Sequence, residues 1–315
     1  MKHLFIINPA AGSRDRKEEI ASIVKRTADE ENLDYEIFIT SRPGHAAEIA
    51  KRECQNRPGE LLRFYACGGD GTLNEVLAGI AGQPNAQLTH FPKGTGNDFI
   101  KVFGERAYEF SSLPLLTQGE IIDMDYIACN CGTAINVFSV GIDARVAQGM
   151  RKYRRLPLMG QEGPYLFSTF ENILRGLGQS YEIEIDGRDY SGDYSMLFAA
   201  NGRWYGGGFC PVPQADPTDG VLEILLVKKV SRITAAKVVG AYKQGRYREL
   251  PECITHLQAH SLKIRQKNGE YFPVNLDGEI AMTTHAAAEL KSAVPFAVPP
   301  GVKVARQEQE VPEEE

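Results

Sequence analysis

The segment "YACGGDGTLNEVLAGI" (residues 65–80) constrains the fold of this 315-residue chain more than any other. An apolar run from Leu61 to Cys67 enters two adjacent glycines, and Leu73, Val76, Leu77 and Ile80 leave them at the i, i+3, i+4, i+7 spacing of a half-buried helix. Strand, tight glycine turn and helix in succession is what a parallel sheet requires, because parallel neighbours are joined only by a crossover. Thr72 and Glu75 have the spacing of a capping box, which predicts that the helix starts at the threonine.

The same alternation fills the first ~125 residues. Residues 4–7, 35–39, 61–67 and 87–91 read as strands, and 15–28 as a helix with Ile20, Ile23 and Val24 inward. After Asp123 the texture becomes short strands separated by turn signals, of which Asp186-Gly187 and Asn268-Gly269 are strong hairpin signals. Helical insertions near 164–177 and 232–244 interrupt this β-rich part. His256 and His260 sit in a strand pattern rather than on a helix face.

Apolar residues at 43% and charged residues at 24% are those of a globular chain, which excludes fibrous and disordered classes. No run approaches the roughly 18 apolar residues of a membrane-spanning helix. The apolar stretch in "MKHLFIINPAAG" is too short for a signal peptide, and the six cysteines (Cys54, Cys67, Cys129, Cys131, Cys210, Cys253) are scattered. A cytoplasmic protein with reduced thiols is expected. Cys129-Asn130-Cys131 reads as strand alternation or as a metal clip. Five of the 41 acidic residues belong to the tail "QEQEVPEEE" (307–315), expected to be disordered, leaving 36 acidic against 35 basic residues. That balance lacks the basic excess of a nucleic-acid binder.

The glycines of 68–71 lie between a strand's carboxyl end and a helix N-terminus. There, unpaired backbone N–H groups and the helix dipole hold an anion, and missing Cβ atoms admit a phosphate. A phosphate chain fits, with a plain glycine-rich turn as the competing reading. Asp70 would repel phosphates unless a divalent cation intervened, so it points to magnesium. "NPAAGSR" (8–14) and "PKGTGNDF" (92–99) take equivalent places after their strands, and open parallel sheets gather ligands at that end. No G-x-x-x-x-G-K-[ST] is present, and Phe99 stands where a dinucleotide fingerprint has its third glycine.

The ordered set "NPAAG", "GGDGTLNE" and "GTGNDF" resembles the diacylglycerol kinase catalytic domain family, the bacterial soluble lipid kinases related to sphingosine kinases and more distantly to NAD kinases. "TSRPGHA" (40–46), "IDMD" (122–125), "NVFSVGIDA" (136–144), "NGRWYGGGFCPVPQADPTDGVLEIL" (201–225) and "LDGE" (276–279) extend the likeness along the chain. The resemblance implies an α/β fold: a nucleotide-binding α/β domain of the NAD kinase and phosphofructokinase kind (1–126), completed by a C-terminal return (290–306), plus a β-sandwich second domain (127–289) for a lipid acceptor. It implies ATP as phosphoryl donor, held by Asn8, Gly12, Arg14, Thr40, Gly68, Gly69, Gly71, Thr72, Glu75, Gly94, Thr95 and Asn97. Asp70, Asp98 and Asp123 would organise the catalytic Mg2+, Asp219 would anchor a structural cation, and Asp277 would be the general base. Many relatives carry a lysine after "NPxxG"; here Ser13 and Arg14 stand there, and Arg14 is the residue to reach the phosphates instead.

The chemistry makes a parallel demand, since a hydroxyl acceptor needs a carboxylate beside the attacking oxygen. Asp277 lies on a tight turn between strands, and turn chemistry alone is its competing explanation. The expected activity is transfer of the γ-phosphate of ATP to a lipid hydroxyl such as that of diacylglycerol. An NAD kinase, which shares "GGDGT", and a non-catalytic nucleotide or lipid sensor are the rivals. A lipid substrate implies peripheral contact at the inner face of a membrane. Arg151, Lys152, Arg154 and Arg155, followed by a helix from Pro164 with Leu166, Phe170, Ile173, Leu174 and Leu177 on one face, are its candidates. Acceptor identity and oligomeric state, a homodimer included, stay open.

Overall fold

The computed structural model describes residues 1–12, 14–153 and 178–306. Ser13, the segment 154–177 and the tail 307–315 lie outside the described residues, as do the side chains of Arg151 and Lys152. The helix expected from Pro164 and the basic pair Arg154 and Arg155 therefore lie outside them too.

Four parallel strands in the order β4-β3-β1-β2 make the first sheet: β1 (Lys2–Ile7), β2 (Tyr35–Ile39), β3 (Leu62–Gly68) and β4 (Ala86–Pro92). The central strand β3 is buried at every residue, as the inner strand of a sheet covered on both faces must be. Helices α1 (Lys17–Glu30), α2 (His45–Asn56) and α3 (Asp70–Ile80) form the crossovers. The first helix starts two residues later than the periodicity suggests, because the Asp15 carboxylate accepts the Lys17 N–H at 2.9 Å and folds a turn ahead of it.

The expected capping box does not form, and α3 starts at Asp70 instead of Thr72. Thr72 Oγ1 accepts from Asn8 Nδ2 at 3.0 Å, and Glu75 Oε2 accepts the Ala46 N–H at 3.1 Å. Both side chains are thus engaged by neighbouring elements.

After the short helix α4 (Leu113–Thr117), β5 (Glu120–Cys129) and β16 (His285–Val298) form a long antiparallel ribbon. At its far end β16 pairs in parallel with β4 through Phe296 and Leu88, and Thr89 Oγ1 donates to the Ala297 carbonyl at 2.7 Å. Phe296 stacks among Phe99, Phe103 and Phe110, so a strand from the end of the chain completes the core of its beginning.

The second half is a β-sandwich. Its strands are β6 (Gly132–Ala134), β7 (Val137–Gly141), β8 (Gln179–Ile185), β9 (Arg188–Asp189), β10 (Gly192–Ala200), β11 (Leu222–Lys228), β12 (Ile254–Ala259), β13 (Ser261–Gln266), β14 (Phe272–Leu276) and β15 (Glu279–Thr283). Phe138, Tyr181, Leu197, Ile224 and Phe272 centre one core, and a further cluster under α6 (Arg232–Lys243) centres on Phe198, Tyr205 and Tyr242. The remaining helix, α5 (Ile142–Tyr153), follows β7.

Asp186 and Gly187, both at positive φ (45° and 75°), join β8 to β9 as a two-residue hairpin. Asn268-Gly269 does not make a hairpin: β13 pairs with β8 and β16, whereas β14 pairs with β7 and β15. Asn268 instead accepts the Glu270 N–H on its side chain at 3.0 Å, a turn that redirects the chain between strand sets. The tight hairpin of this region is Asp277-Gly278 (φ 50° and 89°), between β14 and β15. Among the described residues no helix is long and apolar enough to cross a membrane. Cys129 and Cys131 flank the β5–β6 turn with both thiols directed at Asn130 Oδ1, and no group of three metal-ligating side chains is present among the described residues.

Candidate active site

Strands β1, β3 and β4 deliver their loops to one end of the sheet, where the loops are tied together through backbone. The Asn8 N–H donates to the Cys67 carbonyl at 3.0 Å, and Asn8 Oδ1 accepts the Ala10 N–H at 3.0 Å. The Gly68 carbonyl accepts the N–H of Lys93 at 2.7 Å and of Gly94 at 3.1 Å. His90 Nε2 lies 3.1 Å from the same oxygen, which can only accept, so this nitrogen carries the proton; burial keeps the ring neutral. A Cβ on Gly94 would lie 2.4 Å from the Gly69 Cα, so the second and third loops touch where only glycine fits. Asn97, at φ 46°, closes the third loop by bonding both the N–H and the carbonyl of Gly94.

Asn8, Gly12, Gly68, Gly69, Gly71, Thr72, Gly94, Thr95 and Asn97 therefore gather at one end of the sheet, Gly68 and Thr72 buried and Gly12, Gly71 and Thr95 exposed, and Thr40 stands there at the end of β2, its N–H on the Ile7 carbonyl. Two expected members lie elsewhere. Glu75 is drawn to α2, and the Arg14 side chain, 75% exposed, faces Glu19 at 3.7 Å.

Asp70 anchors the third loop to the second: its Oδ2 accepts the Asp98 N–H at 2.9 Å and its Oδ1 the Phe99 N–H at 3.0 Å. Asp98 is 5% exposed, pairs with Lys101 and accepts the Gly207 N–H at 2.7 Å. Between the two carboxylates sits Gly96, whose added Cβ would be 3.4 Å from one and 3.6 Å from the other. Two carboxylates are hard oxygen donors of the kind that magnesium takes. Asp123 stands exposed on β5 opposite Pro295, and no third ligand joins Asp70 and Asp98 among the described residues.

Asp219 bonds the Val221 N–H at 2.9 Å. Burial, with the charges of Asp216, Glu223 and Asp125, pushes its carboxyl group up to about 6. Asp125 accepts the Gly220 N–H at 2.8 Å and is also raised by burial. A cation here would relieve a repulsion the chain otherwise carries.

Asp277, half-buried at its turn, points its carboxyl group inward. Oδ2 accepts the N–H groups of Ile135 (2.7 Å) and Asn136 (3.1 Å), and Oδ1 that of Val137 (2.7 Å). Burial pushes the group up to about 7 against the pull of these three donors, and the charge of Asp70 adds to the rise. A carboxylate of the second half and one of the first thus act on each other.

Two features escape sequence reasoning. Asp143, in the first turn of α5, is buried among Ser139, Tyr205 (2.8 Å) and Asn275 (3.2 Å), and burial raises its pKa. It closes the polar end of an apolar cavity of about 50 Å³ whose walls include Val146, Met196, Val227 and Val238. The other is the loop after β10: Asn136 Nδ2 donates to the Trp204 carbonyl at 2.6 Å, Tyr205 reaches Asp143, and Gly207 reaches Asp98. Three glycines in a row at 206–208 were the available signal.

Residues 2–129 match the family model of the diacylglycerol kinase catalytic domain, and residues 136–300 that of the YegS C-terminal NAD kinase beta sandwich-like domain. A candidate lipid kinase of Staphylococcus carnosus (strain TM300) is 25% identical over 254 residues, which are 80% of this chain and 81% of its own. A candidate diacylglycerol kinase of Bacillus anthracis str. Sterne, known as a solved structure, superposes with a TM-score of 0.70 at 26% identity over 96% of this chain and 98% of its own. A diacylglycerol kinase structure from the same organism, at 21% identity and a TM-score of 0.66, shares the fold. With both halves matched in order, the chain belongs to the diacylglycerol kinase catalytic domain family of kinases.

Proposed function

We propose that the chain is an ATP- and magnesium-dependent lipid kinase that transfers the γ-phosphate of ATP to a hydroxyl of a lipid such as diacylglycerol. The observation that carries this reading is the placement of Asp277, whose carboxyl group is held by three backbone N–H groups of the second half and is raised by burial to about 7, the charge of Asp70 adding to the rise. A base with a pKa near working pH suits removal of a proton from a hydroxyl.

The loops at 8–12, 68–72 and 94–97 line the phosphate site, with Thr40 at their edge. Asp277 takes the acceptor's proton as its oxygen bonds the γ-phosphorus and the bond to the bridging oxygen of ADP breaks. Asp70 and Asp98 would hold magnesium, which when bound offsets negative charge on the transferred group, while Asp123 stands apart on β5. Asp219, which feels the charges of Asp216 and Asp125, would anchor a second, structural cation. The acceptor class comes from the names of the relatives, and the apolar walls beside Asp143 support an apolar substrate. Such a substrate is met by peripheral contact with a membrane.

The test is transfer of labelled γ-phosphate from ATP with magnesium to a panel of micellar lipids, with NAD and a lipid-free blank alongside. Labelled lipid is the expected product. Label in NADP would replace this reading with an NAD kinase, and no transfer to any lipid would sink it.

A further inference from the structure

Beside the first and third loops, three basic side chains gather around one carboxylate. Arg14, Arg16 and Lys93 face a single acid, Glu19. Both oxygens of Glu19 are engaged, Oε2 by Arg16 Nε at 3.0 Å with Arg14 at 3.7 Å, and Oε1 by Arg16 Nη2. Lys93 is left without a counterion: among the described residues its ammonium group makes no hydrogen bond and no ion pair, and rests 3.8 Å over the ring of Phe91, itself 1% exposed. Burial and the neighbouring Arg16 charge lower its pKa, a cost that an anion at this place would reverse.

The backbone of residue 93 fixes where that charge sits. Its N–H is bound to the Gly68 carbonyl at 2.7 Å, and its own carbonyl is 3.0 Å from where a Cβ on Gly12 would be, so it lies at the junction of all three loops. On the first loop Arg14, the basic residue that follows "NPAAG" most closely, is turned to Glu19. Resting on the nucleotide reading above, we infer that Lys93, on the third loop, is the phosphate-binding cation of this chain. Its ligand is the anionic polyphosphate of the nucleotide, and the Phe91 ring stores the ammonium group until the phosphates arrive.

Affinities of ATP, ADP and adenosine for the full chain, measured by isothermal titration on the unaltered protein and on Lys93→Met and Lys93→Arg, test this. Loss of a charged hydrogen-bond partner predicts that K93M weakens ATP and ADP by about 10- to 100-fold and adenosine by less than about twofold, with K93R recovering part of the loss. Equal ATP affinity in K93M, or an equal loss of adenosine binding, overturns the assignment and leaves the kinase reading intact. Failure of the unaltered chain to bind ATP overturns both.

Discussion

At the residue scale the group on which the proposed mechanism turns is Asp277, a residue that also makes a tight turn. Its φ of 50° belongs to the hairpin, while its carboxyl group turns back onto three backbone N–H groups. Because the native pKa is raised to about 7 from an ordinary aspartate value, the folded chain retains a proton there that the unfolded chain releases near 4. Its stabilising contribution is full below the unfolded value and is lost as pH rises through 7. Transfer needs the ionised form, so the rate should climb through the same window. Asp277→Asn should lower turnover by about 10²- to 10⁴-fold while ATP still binds. A D277N enzyme with unchanged turnover would remove the residue as base. His3 titrates in the opposite sense: burial beside Tyr65 (2.8 Å) lowers it to about 4, so its contribution is present above pH 6.5 and is lost as pH falls toward 4. His3→Gln should flatten that acid-side loss in urea titrations at pH 4 to 7, and an unaltered slope would assign it to other groups. "DGE" was singled out from its resemblance, whereas His3 looks like any residue of a first strand until its tyrosine partner, 62 positions away, is known.

At the element scale, periodicity found β1 to β4, α1 and α3 to within about two residues, as local pattern should where one face is buried, but left α2 unassigned. Their ends were harder to read, because end groups are claimed by partners distant in sequence. Thr72 and Glu75 have the right spacing for a cap, yet Asn8 and Ala46 take them. The Asn268-Gly269 signal failed for a related reason, since strands adjacent in sequence need not be adjacent in a sandwich. A tight helix crossing is equally hidden: Gly79 of α3 meets α2 so closely that a Cβ would lie 2.4 Å from the Ala47 carbonyl and 2.8 Å from the Ala50 Cβ. Gly79→Ala would raise intrinsic helix propensity. Forcing α2 and α3 apart should nevertheless make it destabilising by about 1–3 kcal/mol. Denaturant midpoints of the two proteins decide this, and a more stable G79A would show that the helices separate at little cost.

At the scale of the whole molecule, the two halves are joined by a shared ribbon as well as by loops, and that is what sequence reading could only borrow from a resemblance. Strand β16 pairs with β13 near its start and with β4 near its end, running beside β5 throughout. The residues that close the first core are thus encoded more than 150 positions after β5. A polypeptide of residues 1–129 should expose the edge of β4 and leave Phe99, Phe103 and Phe110 without Phe296, a loss comparable to the roughly 3–5 kcal/mol of a buried Phe→Ala change. It should aggregate or unfold without a cooperative transition. Since Cys129 faces Ala288 across the ribbon, a two-residue Asn-Gly turn can join 129 directly to 288 and continue to 306. That joined polypeptide is expected to regain a single cooperative unfolding transition and to bind ATP through its three loops, without transferring phosphate because Asp277 is gone. If residues 1–129 alone unfold cooperatively at the same midpoint as the joined form, β16 is an accessory of the first half and the interdependence of the two halves argued here is wrong.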